Sequence, residues 1–363
     1  MLKRREDTLA EKSSGKPLRW DNVKSAVFET VFSLANNNKA GRRWVALSFV
    51  IDLLQLLSFQ FPSHLPRDFS WSYSGWLQQV LYGFSIAPYI SSFEKGDISA
   101  YIVGLVLFLS TLACVTAVAM VIYAKGTFAH QWILKILRPW VNIVATIGFI
   151  PLFAMQFCFG WELVAGSGFG SSSATNYGGV VIVFSSFLVL AFACIIVGTC
   201  YDPDPDSEAP LARPHSRADL YHLLCRAVLV VVSTTFASNH FVLLATSLIV
   251  SISLAYVYTW YLPYYDWVFM RGRVICTWCF AWSAFCMGMA EYQRAQDSTA
   301  TLALYAASVL VAVSAYLAAK ARRNMVVERE VKHFAVTIEF NRMRRPCSSL
   351  STCRTSSMYV AAV

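Results

Sequence analysis

Long apolar runs separated by short polar and basic stretches dominate the chain. Seven of them, at 44–61, 100–124, 139–161, 180–200, 241–262, 274–292 and 301–319, match the roughly 17 to 25 residues that cross ~30 Å of hydrocarbon as a helix. An eighth, at 220–237, is shorter and carries Arg226. With its successor it forms an almost continuous apolar block from 220 to 262, which at about 64 Å is too long for one crossing. The polar triplet Ser238-Asn239-His240 marks the turn that divides it. The pattern predicts an all-α fold, a polytopic transmembrane helical bundle of about eight spans. It divides the chain into a basic leader with an amphipathic helix (1–42), the bundle (43–319), a juxtamembrane helix (320–345) and a disordered tail (346–363).

Composition agrees with the pattern. The 363 residues are 56% hydrophobic and 14% charged, against roughly 25% charged in soluble domains, so the apolar surplus must face lipid. Charge then sets orientation. With an internal N-terminus, the inner segments hold the basic leader (Lys3 through Arg43), Lys125, Lys135, Arg138, Arg213, Arg217, Arg271, Arg273 and the tail from Lys320. Only Arg67, Lys95 and Arg294 fall outside. The positive-inside rule therefore places both termini in the cytoplasm. The net charge of +9 is read as this topological signal together with attraction to anionic inner-leaflet lipid, and not as a nucleic-acid footprint.

About forty mostly polar residues precede the first run, so that run is expected to serve as its own insertion signal. In the leader, Val23, Val27, Val31 and Leu34 recur at helical spacing beside Phe28 and Phe32. The pattern fits a helix on the inner membrane surface or one tucked under the bundle. The aromatic connection 62–99 (Phe69, Trp71, Tyr73, Trp76, Tyr82, Phe84, Tyr89) is expected to lie in the interface as a partial or re-entrant helix. The Gly/Ser-rich 162–179 reads as a flexible outer loop, and no strand precedes its glycines, which argues against a phosphate cradle. The inner loop 201–219 alternates Asp202, Asp204 and Asp206 with Pro203 and Pro205. It lacks the central glycine and closing glutamate of a calcium hand and reads as a proline-stiffened turn.

Ionisable groups inside the spans carry more information, because each costs a few kcal/mol in hydrocarbon unless it finds a partner. Asp52 lies mid-run with Gln55 three residues on, so both share one helical face that Phe59 continues and that should point into the bundle. Gln60 falls to the side, near the outer end, where headgroups or water would satisfy it. Arg226 sits about three turns short of the outer end of its run, at a depth that permits an ion pair with Asp52; alternatively it snorkels to the headgroups. Asn142 needs only a backbone or neighbouring-helix partner. Ser247, Ser251 and Ala255, and in the last run Ser308 with Ala312 and Ser314 with Ala318, repeat at four-residue spacing and read as close-packing faces.

Cys276 and Cys279 have C-x-x-C spacing, with Cys286 following, but no second pair or histidine lies nearby, so no metal is expected. Cys114, Cys158, Cys194, Cys200 and Cys225 lie in or at the ends of runs and behave as small hydrophobes. Cys347 and Cys353 in the tail are either acylated or left unmodified. No cofactor is implied.

Two inner-face stretches exceed simple hydrophobic patterning: Leu211-Ala212-Arg213-Pro214-His215-Ser216-Arg217 and Tyr261-Leu262-Pro263-Tyr264-Tyr265-Asp266. With the run from Asp52 to Phe61, they resemble the membrane region of the tiny macrocysts family over roughly 40–340. In these protist and algal proteins such spans precede cytoplasmic PAS sensory domains and sometimes cyclase domains. Physically, Pro214 stiffens the entry to a span, Arg213 and Arg217 hold the inner register, and Pro263 stops a helix where tyrosines meet headgroups. Here the helix after Ala319 leads only to Pro346-Cys347-Ser348-Ser349 and a Ser/Thr-rich end. The resemblance therefore implies a non-enzymatic sensor or signalling component whose output needs a cytoplasmic partner or a homo-oligomer, unless the chain is the truncated product of a longer gene. The alternative is a transporter or channel using the Asp52/Gln55 face, against which stand the few intramembrane charges and the lack of visible inverted repeats or broken helices. An intramembrane enzyme would need paired carboxylates, a His cluster or an activated Ser within the spans, and none is seen. The expected location is the plasma membrane, with ciliary and endomembranes as alternatives.

Overall fold

A computed structural model describes residues 20–36, 42–60, 99–125, 131–165, 173–199, 216–236, 239–292 and 306–344. These form ten helices: α1 Trp20–Asn36, α2 Arg42–Ser58, α3 Ser99–Lys125, α4 Gln131–Ala145, α5 Phe149–Ala165, α6 Ser173–Thr199, α7 Arg217–Thr235, α8 His240–Tyr261, α9 Trp267–Tyr292 and α10 Ser308–Arg344. No strand occurs among the described residues. The chain divides into two compact units, residues 1–316 and 317–363, with the boundary inside α10. By length and composition, four helices can cross a membrane: α3, α6, α7 and α8. The bent pair α4–α5 counts as a fifth if it is one span.

The expected 139–161 span is not one continuous helix. It is replaced by α4 and α5, inclined by 56° across Thr146-Ile147-Gly148. The cause is local. Pro151 in the first turn of α5 has no N–H to give the carbonyl of Ile147, so the helical ladder is open there. The chain passes the break with Gly148 N–H donating to Ile143 O at 2.8 Å and Leu152 N–H resuming the ladder to Gly148 O at 3.0 Å. This corrects the expectation that no helix is broken.

In unit one, α5 packs on α6, α8 on α7 and α9, and α2 on α9, while α7 also touches α5 and α6. The α5–α6 crossing is close: a Cβ on Gly160 would stand 2.7 Å from Val183 N, and one on Gly179 would stand 2.9 Å from Gly160 O. Small residues thus let the two backbones meet. On α8 the expected small face is buried, with Ser247, Ser251 and Ala255 all enclosed, whereas Ser314 on α10 is exposed. The expected Gly/Ser loop 162–179 is shorter than its composition implied, because α5 runs on to Ala165 and α6 begins at Ser173.

Helix α1 packs against α3, α4 and α6, burying Ala26, Thr30, Val31 and Leu34 while Val27 and Phe28 stay exposed. The division between α7 and α8 falls at the anticipated triplet, where the Asn239 side chain accepts from Val242 N–H at 3.3 Å. The connection 62–98, the acidic stretch 201–215 and the tail 346–363 lie outside the described residues, and so do Arg213, Pro214, His215, Cys347 and Cys353.

Candidate functional site

Asp52 stands in the third turn of α2, buried, and meets basic groups from two other helices. Arg226 Nη1 of α7 lies 3.2 Å from Asp52 Oδ1. Arg273 Nη1 of α9 pairs with Asp52 Oδ2 at close range. His222 Nε2, one turn before Arg226 on α7, lies 3.2 Å from the same oxygen. Arg273 Nη2 is 3.3 Å from His222 Nδ1. A guanidinium only donates, so Nδ1 accepts and the ring hydrogen sits on Nε2, facing Asp52.

The helix break supplies the rest. Gln55 Nε2 donates to the Ile147 carbonyl at 2.9 Å, the acceptor that Pro151 leaves free. Arg226 Nη2 donates to Gln55 Oε1 and to the Thr146 carbonyl, each at 2.8 Å. The shared Asp52/Gln55 face therefore points into the bundle and spans α2, the α4–α5 break, α7 and α9. Aromatic faces cover the guanidinium groups: Arg273 lies over Phe49 (4.9 Å to the centroid) and Tyr258 (5.2 Å), and Arg226 over Phe149 (5.8 Å).

A second layer leads towards the ends of α8 and α9. Asp219 Oδ1 accepts from Tyr258 OH at 2.7 Å and from Tyr264 OH at 2.6 Å. Tyr258 OH also lies 3.4 Å from His222 Nδ1. Asp52 is thus the carboxylate that Arg226 and Arg273 share, while Asp219 is held by the two tyrosine hydroxyls.

The second family-like stretch forms the turn between α8 and α9. Leu262 closes α8 with φ 45°, a left-handed conformation that L side chains rarely adopt, immediately before Pro263. Tyr264 does not meet headgroups as the tyrosine pattern predicted; it is buried and reaches Asp219, while Tyr265 stays exposed. Asp266 caps α9 through Val268 N–H at 2.8 Å and pairs with the exposed Arg42 at 3.5 Å. Of the first stretch, Ser216 Oγ donates to Gly198 O at 2.7 Å and Arg217 is exposed. These contacts gather the start of α2, the end of α6, the start of α7 and the α8–α9 turn at one end of the bundle.

Two polar readings need correction. Gln60 is fully buried, and its Nε2 donates to Phe280 O at 3.0 Å, so the amide nitrogen is met by protein rather than at the headgroups. Arg273, assigned to an inner loop because the apolar run begins at Val274, is buried: α9 starts at Trp267 and draws it into the core. His222, Asp219 and Tyr258 were not singled out. A signal existed on α7, where Asp219, His222 and Arg226 follow at spacings of three and four and so share one face. Nothing in the sequence pairs that face with Tyr258 or Arg273. Among the described residues, no three His, Cys, Asp or Glu side chains are placed to hold a metal ion.

Set against known proteins, the chain is similar to Tiny macrocysts protein C of Dictyostelium discoideum, with 24% identity over 257 residues. These make up 67% of this chain and 18% of that protein, so the match covers a minor part of the relative's length. No protein-family profile matches the chain, and no solved structure does.

Proposed function

We propose that the chain is a non-enzymatic, multi-span signalling component of the plasma membrane, with about eight crossings and cytoplasmic ends. In this reading the buried charge cluster holds the resting arrangement, and the α8–α9 turn passes changes in it to the inner surface. The observation that carries the proposal is that turn: Tyr264 is bonded into the cluster, while Asp266, two residues on, is tied to exposed Arg42. Displacement at Asp219 or Tyr258 therefore has a short mechanical route to the surface. The guanidiniums find acceptors within the protein, on Asp52, Gln55 Oε1 and the Thr146 carbonyl, which supports the same reading. Similarity to Tiny macrocysts protein C supports relatedness to that protein, and the sensory context is taken from the sequence motifs alone. Output then falls to a cytoplasmic partner or to a second copy of the chain.

A transporter is the second reading, favoured by one observation: a broken helix whose Thr146 and Ile147 carbonyls enter the polar cluster, as broken helices do at many translocation sites. One experiment separates the two. Reconstituted in proteoliposomes, wild type and Asp52→Asn are compared for ion and solute flux and for hydrogen exchange across the α8–α9 turn. The signalling reading expects no flux above protein-free vesicles and faster exchange from Leu262 to Asp266 in the variant. Flux abolished by the substitution, with exchange at the turn unchanged, refutes it.

A further inference from the structure

Helix α10 runs unbroken from Ser308 to Arg344, and from Leu317 onwards its sequence carries a repeat that the membrane reading does not use. Leu317, Asn324, Val331 and Ile338 are seven residues apart, and Lys320, Val327, Phe334 and Asn341 follow each of them by three. That is the a/d alternation of a left-handed coiled coil, with spacing 3.5 rather than 3.6. The same spacing begins upstream at Leu310 and Val313, so the seam extends over more than four heptads. Asn324 is exposed on the helix, in line with Leu317.

We infer that this face pairs with the same face of a second copy, in parallel, forming a two-stranded coiled coil on the cytoplasmic side. Two features of the repeat select that occupant. Asn324 at a single a position costs stability but matches only its own counterpart in a parallel, in-register dimer. Arg323 at g and Glu328 at the next e have opposite signs, the arrangement that parallel partners use across the seam. Lys320 at d interrupts the apolar seam, and the stretch from Asn324 to Ile338 is short for a coiled coil in solution. Two chains embedded in one bilayer meet at high effective concentration, which lowers that requirement. This deepens the signalling proposal by naming the output partner, although the pairing itself stands or falls separately from it.

The test is disulfide trapping of the full chain in lipid nanodiscs, in a background with Cys347 and Cys353 changed to Ser. Asn324→Cys should give a covalent dimer under mild oxidation, while Met325→Cys, one position off the seam, should give little. Val331→Glu added to Asn324→Cys should weaken association about tenfold or more through a buried, unpaired charge in each strand. Phe340→Glu, off the seam, should leave trapping unchanged. Equal trapping at 324 and 325, no trapping at either, or insensitivity to Val331→Glu overturns the inference. If trapping follows the seam but the exchange and flux experiment fails, the signalling proposal falls and the dimer remains.

Discussion

Asp52→Asn tests the cluster most directly, because it keeps the side-chain shape and removes the one carboxylate that Arg226, Arg273 and His222 share. Removing one partner of a buried ion pair costs about 3–5 kcal/mol, since the remaining charge is left uncompensated. Here two guanidiniums lose their counter-charge, which pushes the cost to the upper part of that range. The contacts of Arg226 with Gln55 Oε1 and the Thr146 carbonyl, and of Arg273 with His222, Phe49 and Tyr258, exist in wild type and variant alike and cancel in the difference. The expected loss is therefore about 4 kcal/mol, roughly a thousandfold in the folding equilibrium. The assay is equilibrium unfolding in lipid nanodiscs followed by tryptophan fluorescence, with Arg271→Met as a basic-residue control outside the cluster. Replacing the whole set with Asp52→Leu, Arg226→Met and Arg273→Met should restore most of the loss, because no buried charge is then left alone. Exchanging charges at only two positions, Asp52→Arg with Arg226→Asp, should restore little, since Arg273 would then face an arginine. The reasoning is refuted if Asp52→Asn unfolds within about 0.5 kcal/mol of wild type, a difference typical of surface substitutions, or if the apolar triple variant is no more stable than the single one.

The α5–α6 crossing and the α8–α9 turn provide further tests. Gly160→Ala places a Cβ 2.7 Å from the backbone nitrogen of Val183 and should destabilise by about 1–3 kcal/mol, the usual cost of overpacking. Gly178→Ala meets nothing within 4 Å and should be neutral or slightly stabilising; thermal unfolding of the two variants side by side decides it. Tyr264→Phe removes one of the two donors to Asp219 and should cost about 1–2 kcal/mol, whereas Tyr261→Phe at an exposed position ending α8 should cost almost nothing in the same assay.

Much of the architecture was legible along the chain because lipid imposes a one-dimensional rule: each crossing must be long, apolar and helical. That rule located α3, α6, α7 and α8 to within a few residues, and it found the division at Asn239. Its failures have definite causes. Hydropathy could not see the break at Thr146-Ile147-Gly148, because the agent is a single Pro151 that leaves the region as apolar as before. It misplaced Arg273 because a helix can begin two turns before its apolar stretch when a partner awaits the charge inside. It sent Tyr264 to the headgroups because a tyrosine after a proline looks interfacial until a left-handed Leu262 turns it inward.

The site divides in the same way. That Asp52 and Gln55 share a face follows from helical spacing alone, and so does the common face of Asp219, His222 and Arg226, since positions three and four apart lie over one another. Which faces meet is set by the folded bundle. Only there does the carbonyl freed by Pro151 come opposite Gln55, and only there do residues 52, 226 and 273, far apart in the chain, converge on one carboxylate. A buried charge requires a partner, and the sequence states that requirement, but the identity of the partner depends on distances that exist only after the helices have packed.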